Sequence, residues 1–281
     1  MGGFMNLVDS MQADSAEPLI MGILNVTPDS FSDGGLYTQQ DQLKYRIQSM
    51  AEQGAHIIDI GGESTRPGAL SVSLEEEKDR VLPAVELVKE YSDCWVSIDT
   101  YKTEVMRESL ALGVDMINDV NALQSDGALA LLASVDAAIC LMHKQGQPEN
   151  MQAKPVYDDV LTQVHEFLKA RIEACQQAGI DKKRLVLDPG FGFGKSLGHN
   201  QTLFKNLTDL TLQGFPVLVG VSRKTMIGEL LGDAPIDKRM LGSVVAALLA
   251  VQRGAKIVRV HDVAETAQAL SLARSLTSNS L

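Results

Sequence analysis

Four residues spread along the chain have the chemistry to read a flat, nitrogen-rich ring: Asp99, Asn118, Asp188 and Lys224. The two carboxylates accept N–H bonds, the amide both donates and accepts, and the ammonium donates to a carbonyl or a ring nitrogen. An ionised aspartate takes two parallel N–H bonds from an aminopyrimidine-type edge much as it does from a guanidinium. A second set, Asn25, Arg66, Arg259 and His261, is basic apart from its amide, and suits a phosphate or diphosphate. Asn25 also offers a neutral oxygen to a hard cation such as Mg²⁺ lying alongside phosphate oxygens. The run Asp188-Pro-Gly-Phe-Gly-Phe-Gly-Lys-Ser196 looks at first like a nucleotide loop. The P-loop needs glycine where this chain has Pro189, so that reading fails. Its glycines fit a tightly turning backbone that presents Phe193 as a flat apolar wall. Core packing accounts equally well for Phe191 and Phe193 taken singly.

These residues follow short apolar runs, which are the elements that must position them. The runs are Leu19–Leu24, His56–Ile60, Trp95–Ile98, Asp115–Ile117, Ala137–Met142, Arg184–Leu187, Val217–Val221 and Lys256–Val260. Each reads as a buried strand, and amphipathic segments such as Glu75–Glu90, Tyr157–Ala178 and Met240–Arg253 alternate with them at helical spacing. Alternating βα units imply a parallel sheet with right-handed crossovers, and eight of them predict a single (β/α)8 TIM barrel over residues 18–281. A doubly wound open sheet is the alternative. Residues 1–17 show no pattern and are expected to form a flexible N-terminal arm.

The joints before strands are short and carry glycine where a left-handed helix cap is needed, at Gly54, Gly113, Gly179 and Gly254. The joints after strands are long and polar, which selects the carboxyl rim as the active-site face. That rim reads Asn25, Glu63 to Arg66, Asp99, Asn118 and Asp119, His143, Asp188, Ser222 to Lys224, and Arg259 with His261. Any one Asp, Asn or Ser there is as well explained by helix capping. Capping does not call for two carboxylates, a lysine and two arginines in one ring.

The composition agrees with a barrel enzyme of small molecules. A hydrophobic fraction of 45% with only 5% aromatics suits an aliphatic core. A net charge of −11 without a basic cluster makes neither nucleic acid nor an anionic membrane surface an expected partner. Cys94, Cys140 and Cys175 form no CxxC and read as small buried hydrophobes. No apolar run approaches the roughly 20 residues of a membrane span, and the acidic start lacks a signal-peptide core, so a cytoplasmic location is expected.

Two long stretches, Met21-Gly-Ile-Leu-Asn-Val-Thr-Pro-Asp-Ser-Phe-Ser-Asp-Gly-Gly35 and Gly61-Gly-Glu-Ser-Thr-Arg-Pro-Gly68, resemble the two opening signatures of the dihydropteroate synthases. Asp99-Thr100, Asn118-Asp119, Leu187 to Lys195, Gly220 to Lys224 and Arg259 to Asp262 extend the resemblance to the last helix. It implies condensation of 6-hydroxymethyl-7,8-dihydropterin diphosphate with p-aminobenzoate, giving 7,8-dihydropteroate and pyrophosphate for folate synthesis. By motif, Asp99, Asn118, Asp188 and Lys224 would hold the pterin, with Met142 packing nearby. Asn25, Arg66, Arg259 and His261 would hold the diphosphate, with Asn25 as the Mg²⁺ ligand. Thr65, Pro67, Phe193, Ser222 and Lys224 would line the p-aminobenzoate site, where sulfonamides compete in this family.

The implied chemistry is loss of diphosphate followed by attack of the arylamine on the pterin methylene cation, with Asp99, Lys224, Arg259 and His261 as the catalytic groups. No protein nucleophile is required, and no Ser–His or Cys–His pair is evident among the rim motifs. Loops Asn25–Tyr37 and Arg66–Ser73 are expected to close over the diphosphate, with the parts of Asp29 and Asp33 left open. Tyr101 and Lys144 depart from the family pattern without touching a motif residue. Members of the family pair as dimers through outer helices, so a homodimer is implied. Competing readings are a barrel that transfers a methyl group from a folate, a paralogue that binds pterin without turnover, and a Schiff-base aldolase using Lys224.

Overall fold

The computed structural model describes residues 6–13, 17–27, 39–64, 71–146, 155–211 and 214–277. Eight strands are formed by β1 (Leu19–Asn25), β2 (Ile57–Gly61), β3 (Trp95–Asp99), β4 (Met116–Asp119), β5 (Ala138–Met142), β6 (Leu185–Asp188), β7 (Leu218–Val219) and β8 (Ile257–Val260). They pair in the order β6-β5-β4-β3-β2-β1-β8-β7, all parallel. A parallel bridge between Leu187 and Val217, with Leu187 N donating to Pro216 O at 2.9 Å, joins the two ends of that order. The sheet therefore curls into a barrel, and the open doubly wound alternative is excluded.

The crossovers are α2 (Gln39–Glu52), α3 (Leu74–Tyr91), α4 (Thr103–Ala111), α5 (Ala128–Ala133), α6 (Val160–Gln177), the pair α7 (Leu197–Lys205) and α8 (Leu207–Thr211), and the pair α9 (Thr225–Leu230) and α10 (Met240–Gln252). A last helix, α11 (Val263–Thr277), follows β8. The glycines expected to stop helices ahead of strands do so, with φ of 97° at Gly54 and 91° at Gly254.

Five strands run one or two residues further than the apolar runs predict, β2 to Gly61 and the other four to polar residues, taking in Asn25, Asp99, Asn118 with Asp119, and Asp188. The reason is that a polar side chain aimed into the barrel mouth leaves its own backbone free to pair. Asp99 stands opposite Asn118 and Met142 opposite Asp188 in the register.

Two hydrophobic clusters divide the core. The larger lies between sheet and helices. The smaller fills the lower barrel with Leu19, Met21, Ile57, Met116, Ala138 and Cys140 among others, and is completed by Leu7 and Met11. Those two belong to an additional helix, α1 (Leu7–Gln12), whose N-cap Asn6 accepts from Asp9 N at 2.8 Å. This differs from the expected flexible arm over 1–17. At six residues α1 is too short to be stable alone, and burial of two side chains one helical turn apart against the strand ends holds it in place. Gln12 Nε2 donates to Lys183 O at 2.8 Å, a further tie to the barrel floor.

Candidate active site

Above the apolar floor, alternate strand residues turn polar. Ser97 and Asp59 are neighbours in the β2–β3 register, and Ser97 Oγ donates to Asp59 Oδ1 at 2.6 Å. From β8, the Arg259 guanidinium spans two carboxylates, with Nε on Asp59 Oδ2 at 2.6 Å and Nη2 on Asp99 Oδ2 at 2.8 Å. Asn118 Nδ2 also donates to Asp59 Oδ2, at 3.2 Å. Asp59 is thus engaged on both oxygens, whereas buried Asp99 Oδ1 has no hydrogen-bond partner among the described residues. An unsatisfied buried acceptor costs about 1–3 kcal/mol, so this oxygen is open to a donor brought to the mouth.

Burial pushes the Asp99 carboxyl above its usual range, against the pull of Arg259. Burial weighs against the charge on Arg259 as well, but Asp59 and Asp99 outweigh it and its pKa is raised. The sequence sorted Arg259 with the diphosphate group, and its guanidinium here lies between the two aspartates. Asp59 and Ser97 escaped the sequence reading altogether. Their signal was parity: Asp59 interrupts an apolar run at the same inward phase as Ile57, and Ser97 stands two residues before Asp99.

The opposite side of the mouth is built by turns. Asp188 accepts from Gly190 N at 2.7 Å, and its burial raises the carboxyl pKa while Lys224 draws it back. Lys224 Nζ donates to Phe191 O at 2.6 Å and lies 4.6 Å from the Phe193 ring centroid. Burial lowers its pKa to about 8 despite the opposing charge of Asp188. Phe191 is fully buried and packs on Phe204, so the core reading holds for it, while half-buried Phe193 faces the lysine. Met142, buried at the end of β5, completes this wall.

Arg223, between Ser222 and Lys224, has a φ of 57°, a left-handed conformation that costs a non-glycine residue roughly 1–3 kcal/mol. Three partners hold it there. Its side chain pairs with Asp262, its N–H donates to Ser243 Oγ at 2.8 Å, and its carbonyl accepts from Arg239 Nη1 at 3.1 Å. The resulting turn places Ser222 against β8: Ser222 Oγ accepts from His261 N at 3.2 Å and lies 3.1 Å from His261 Nδ1. A Ser–His pair therefore exists, contrary to the sequence expectation, because β7 and β8 pair side by side and bring their carboxyl ends together. Asp262, the adjacent acid, is committed to Arg223, so the arrangement is not a Ser–His–acid relay.

Other rim residues have structural duties. Asp119 accepts from Asn121 N and Leu123 N, both at 2.7 Å, which is the capping account. Glu63 pairs with Lys102 and accepts from Tyr101 Oη at 3.1 Å, and Lys144 lies 5.8 Å from the Tyr101 ring centroid. His143 stands 2.9 Å from Lys195 Nζ.

Asn25 ends β1 opposite Gly61, which has no side chain to cover its Oδ1; a Cβ there would come within 3.5 Å. Among the described residues no group of three or more His, Cys, Asp or Glu side chains could hold a metal. Asn25 thus fits an ion only as one oxygen donor beside substrate phosphate oxygens and water, a common arrangement for Mg²⁺. Thr65, Arg66 and Pro67, together with Asp29, Asp33 and most of the two loops expected to close, lie outside the described residues.

Residues 21–261 match the family described as pterin binding enzyme. Haemophilus influenzae dihydropteroate synthase is 52% identical over 259 residues, covering 92% of this chain and 94% of its own. Dihydropteroate synthase from Yersinia pestis, solved in complex with a sulfonamide drug, superposes with a TM-score of 0.88 at 50% identity, covering 94% of this chain and 96% of that one. The Xanthomonas albilineans enzyme, solved with 4-aminobenzoic acid, superposes with a TM-score of 0.89 at 49% identity over 94% of each chain. The methyl-transfer and Schiff-base readings give way to this match. With its closed barrel and polar mouth, the chain belongs to the pterin-binding enzyme family as a dihydropteroate synthase, a transferase of folate biosynthesis.

Proposed function

We propose that the two sides of the mouth divide the substrates between them. Asp99, Asn118, Asp188, Lys224 and Met142 take the pterin of 6-hydroxymethyl-7,8-dihydropterin diphosphate, and Thr65, Pro67, Phe193, Ser222 and Lys224 take p-aminobenzoate. The observation that carries this reading is the unpartnered Asp99 Oδ1 in a buried polar mouth, an acceptor suited to the N–H edge of a pterin. Asn25, Arg66, Arg259 and His261 receive the diphosphate. Arg259 would then exchange part of its bond with Asp99 for phosphate, freeing carboxylate for the ring.

In the reaction the bond between the pterin methylene carbon and the diphosphate oxygen breaks, and the electron pair leaves with the diphosphate. The arylamine nitrogen then forms the new C–N bond and releases a proton to solvent. Asp99 favours the electron-poor ring, while Arg66, Arg259 and His261 stabilise the negative charge of the departing pyrophosphate. Asn25 would hold Mg²⁺ by its side-chain oxygen, and such an ion, when bound, supplies charge neutralisation on the leaving group. An arylamine is mostly unprotonated at neutral pH, so no general base is needed to activate it.

The family of inhibitors seen in the Yersinia pestis enzyme suggests that sulfonamides occupy the p-aminobenzoate side here. A homodimer belongs to the same reading. Leu241, Val245 and Leu249 form an exposed apolar stripe on α10, and Leu272 and Leu276 are exposed on α11. A cytoplasmic location is proposed too; no helix among the described residues is long and apolar enough to cross a membrane.

The test is to mix the purified protein with the pterin diphosphate, p-aminobenzoate and Mg²⁺, and to follow pyrophosphate and 7,8-dihydropteroate together. Equal amounts of both are expected. Pyrophosphate without dihydropteroate, or neither product, overturns the assignment.

A further inference from the structure

The glycine-rich run after β6 ends in a lysine that the chemistry above does not use. Lys195 is buried, and its hydrogen-bond partners among the described residues are all uncharged: Nζ lies 2.8 Å from Gly190 O, 3.1 Å from Phe193 O, 3.3 Å from His143 O and 2.9 Å from His143 Nδ1. Burial lowers the His143 pKa to about 3, so its ring is neutral and Nδ1 is free to accept from the lysine. Burying an ammonium without a carboxylate on it is expensive, and burial does lower the Lys195 pKa, to about 7. Some return must offset that cost.

The return is visible in the backbone around it. Gly190, Gly192 and Gly194 all have left-handed φ, of 68°, 80° and 63°. Four carbonyls of this segment are captured by side chains: Gly190 and Phe193 by Lys195, Phe191 by Lys224 at 2.6 Å, and Gly194 by Tyr157 Oη at 2.9 Å. The segment lies so close to residues 143–145 that a Cβ on Gly190 would stand 1.8 Å from His143 O, and one on Gly194 would stand 2.2 Å from Gln145 O. Where a P-loop turns its amides toward a phosphate, this loop turns its carbonyls inward onto a lysine of its own.

We propose that Lys195 is a positioning residue for the arylamine subsite, gathering the carbonyls of residues 190 and 193 so that the Phe193 ring is set before substrate arrives. The inference rests on the reading of Phe193 as the arylamine wall. Asp99 and Asn118 hang on other strands, and Lys224 is held through the Phe191 carbonyl, which Lys195 does not bond, so the two substrates can be separated experimentally.

Lys195→Met keeps length and volume while removing every donor. The KM for p-aminobenzoate is expected to rise at least tenfold at saturating pterin diphosphate, with kcat falling less than threefold. Calorimetric affinity for 6-hydroxymethylpterin alone should stay within about threefold. Lys195→Gln, which still donates, should restore part of the arylamine KM. Tyr157→Phe deletes one hydrogen bond from a half-buried ring and is the milder probe, expected to raise the same KM two- to threefold should Lys195→Met fail to fold. Unchanged arylamine KM in the folded variants, or equal weakening of both substrates, overturns the proposal. Phe193→Leu serves as the reference. If it shifts the arylamine KM and the Lys195 variants do not, the clamp alone is wrong; if it does not, the arylamine-wall reading fails and the clamp's purpose with it.

Discussion

On the β2, β3, β4 and β8 side of the mouth the polar groups are carried by strands, whereas on the β6 and β7 side, beyond Asp188 at the end of β6, they are carried by turns. The strand side is a network of side chains, in which Asp59, Ser97, Asn118, Asp99 and Arg259 bond to one another at 2.6–3.2 Å. The turn side is a network of ammonium groups on main-chain carbonyls, in which Lys195 and Lys224 hold residues 190 to 193. Strands fix the direction of a side chain through pairing, so the strand side needs only complementary charge. A turn has no such ladder and must be held by its own carbonyls. One surface is therefore sensitive to charge, the other to hydrogen-bond donors.

The largest expected effect comes from breaking the strand-side network at its centre. Arg259→Met leaves Asp59 and Asp99 buried without their cation, and removal of one partner from a buried ion pair costs about 3–5 kcal/mol. Urea unfolding should show that loss, and kcat/KM for the pterin diphosphate should fall at least a hundredfold. A variant of near wild-type stability would mean that the network is not what holds this side.

A smaller change is expected in pH dependence. Asp99 titrates above the ordinary carboxylate range in the free protein and must be ionised to accept from the pterin, so kcat/KM should rise as pH climbs through that inflection. Lys224 should lose its proton near its lowered pKa of about 8, giving a falling limb at higher pH. In Asp99→Asn the rising limb should vanish while the falling limb persists. Retention of both limbs would detach the low-pH inflection from Asp99.

The smallest of the three is Asp59→Asn, which keeps shape and removes charge. Ser97 can still bond to the amide, but Arg259 loses one ionic partner, and a weakening of pterin affinity by about fivefold, roughly 1 kcal/mol, is expected by calorimetry. A loss as large as that of Arg259→Met would make Asp59 a direct ligand of the ring rather than a support for Arg259 and Asn118.

Much of the strand side was legible from residue type and position. Asp99, Asn118 and Asp188 were found because each closes an apolar run, and they are the last or nearly the last residues of β3, β4 and β6. Asp59 was not found because it lies inside such a run, where only its phase distinguishes it from its apolar neighbours. On the turn side Phe193 and Lys224 were found, yet Lys195 was judged only as a failed phosphate-loop lysine. Its partners are carbonyls, and sequence does not say which way a carbonyl points. The N-terminal helix was missed for a related reason: Leu7 and Met11 make a face too short to read as amphipathic until a barrel floor is beneath it.

The sequence by itself determined the eight βα units, the face on which they carry polar residues, and the motifs that tie the chain to its family. These are local properties, set by hydrophobic period, by turn chemistry and by residue spacing. Only the tertiary structure decided that Arg259 reaches aspartates 160 and 200 positions away, that Ser222 meets His261, and that Lys195 closes on its own loop. Barrel closure brings inward side chains of distant strands to one level, and no spacing along the chain encodes which of them will touch.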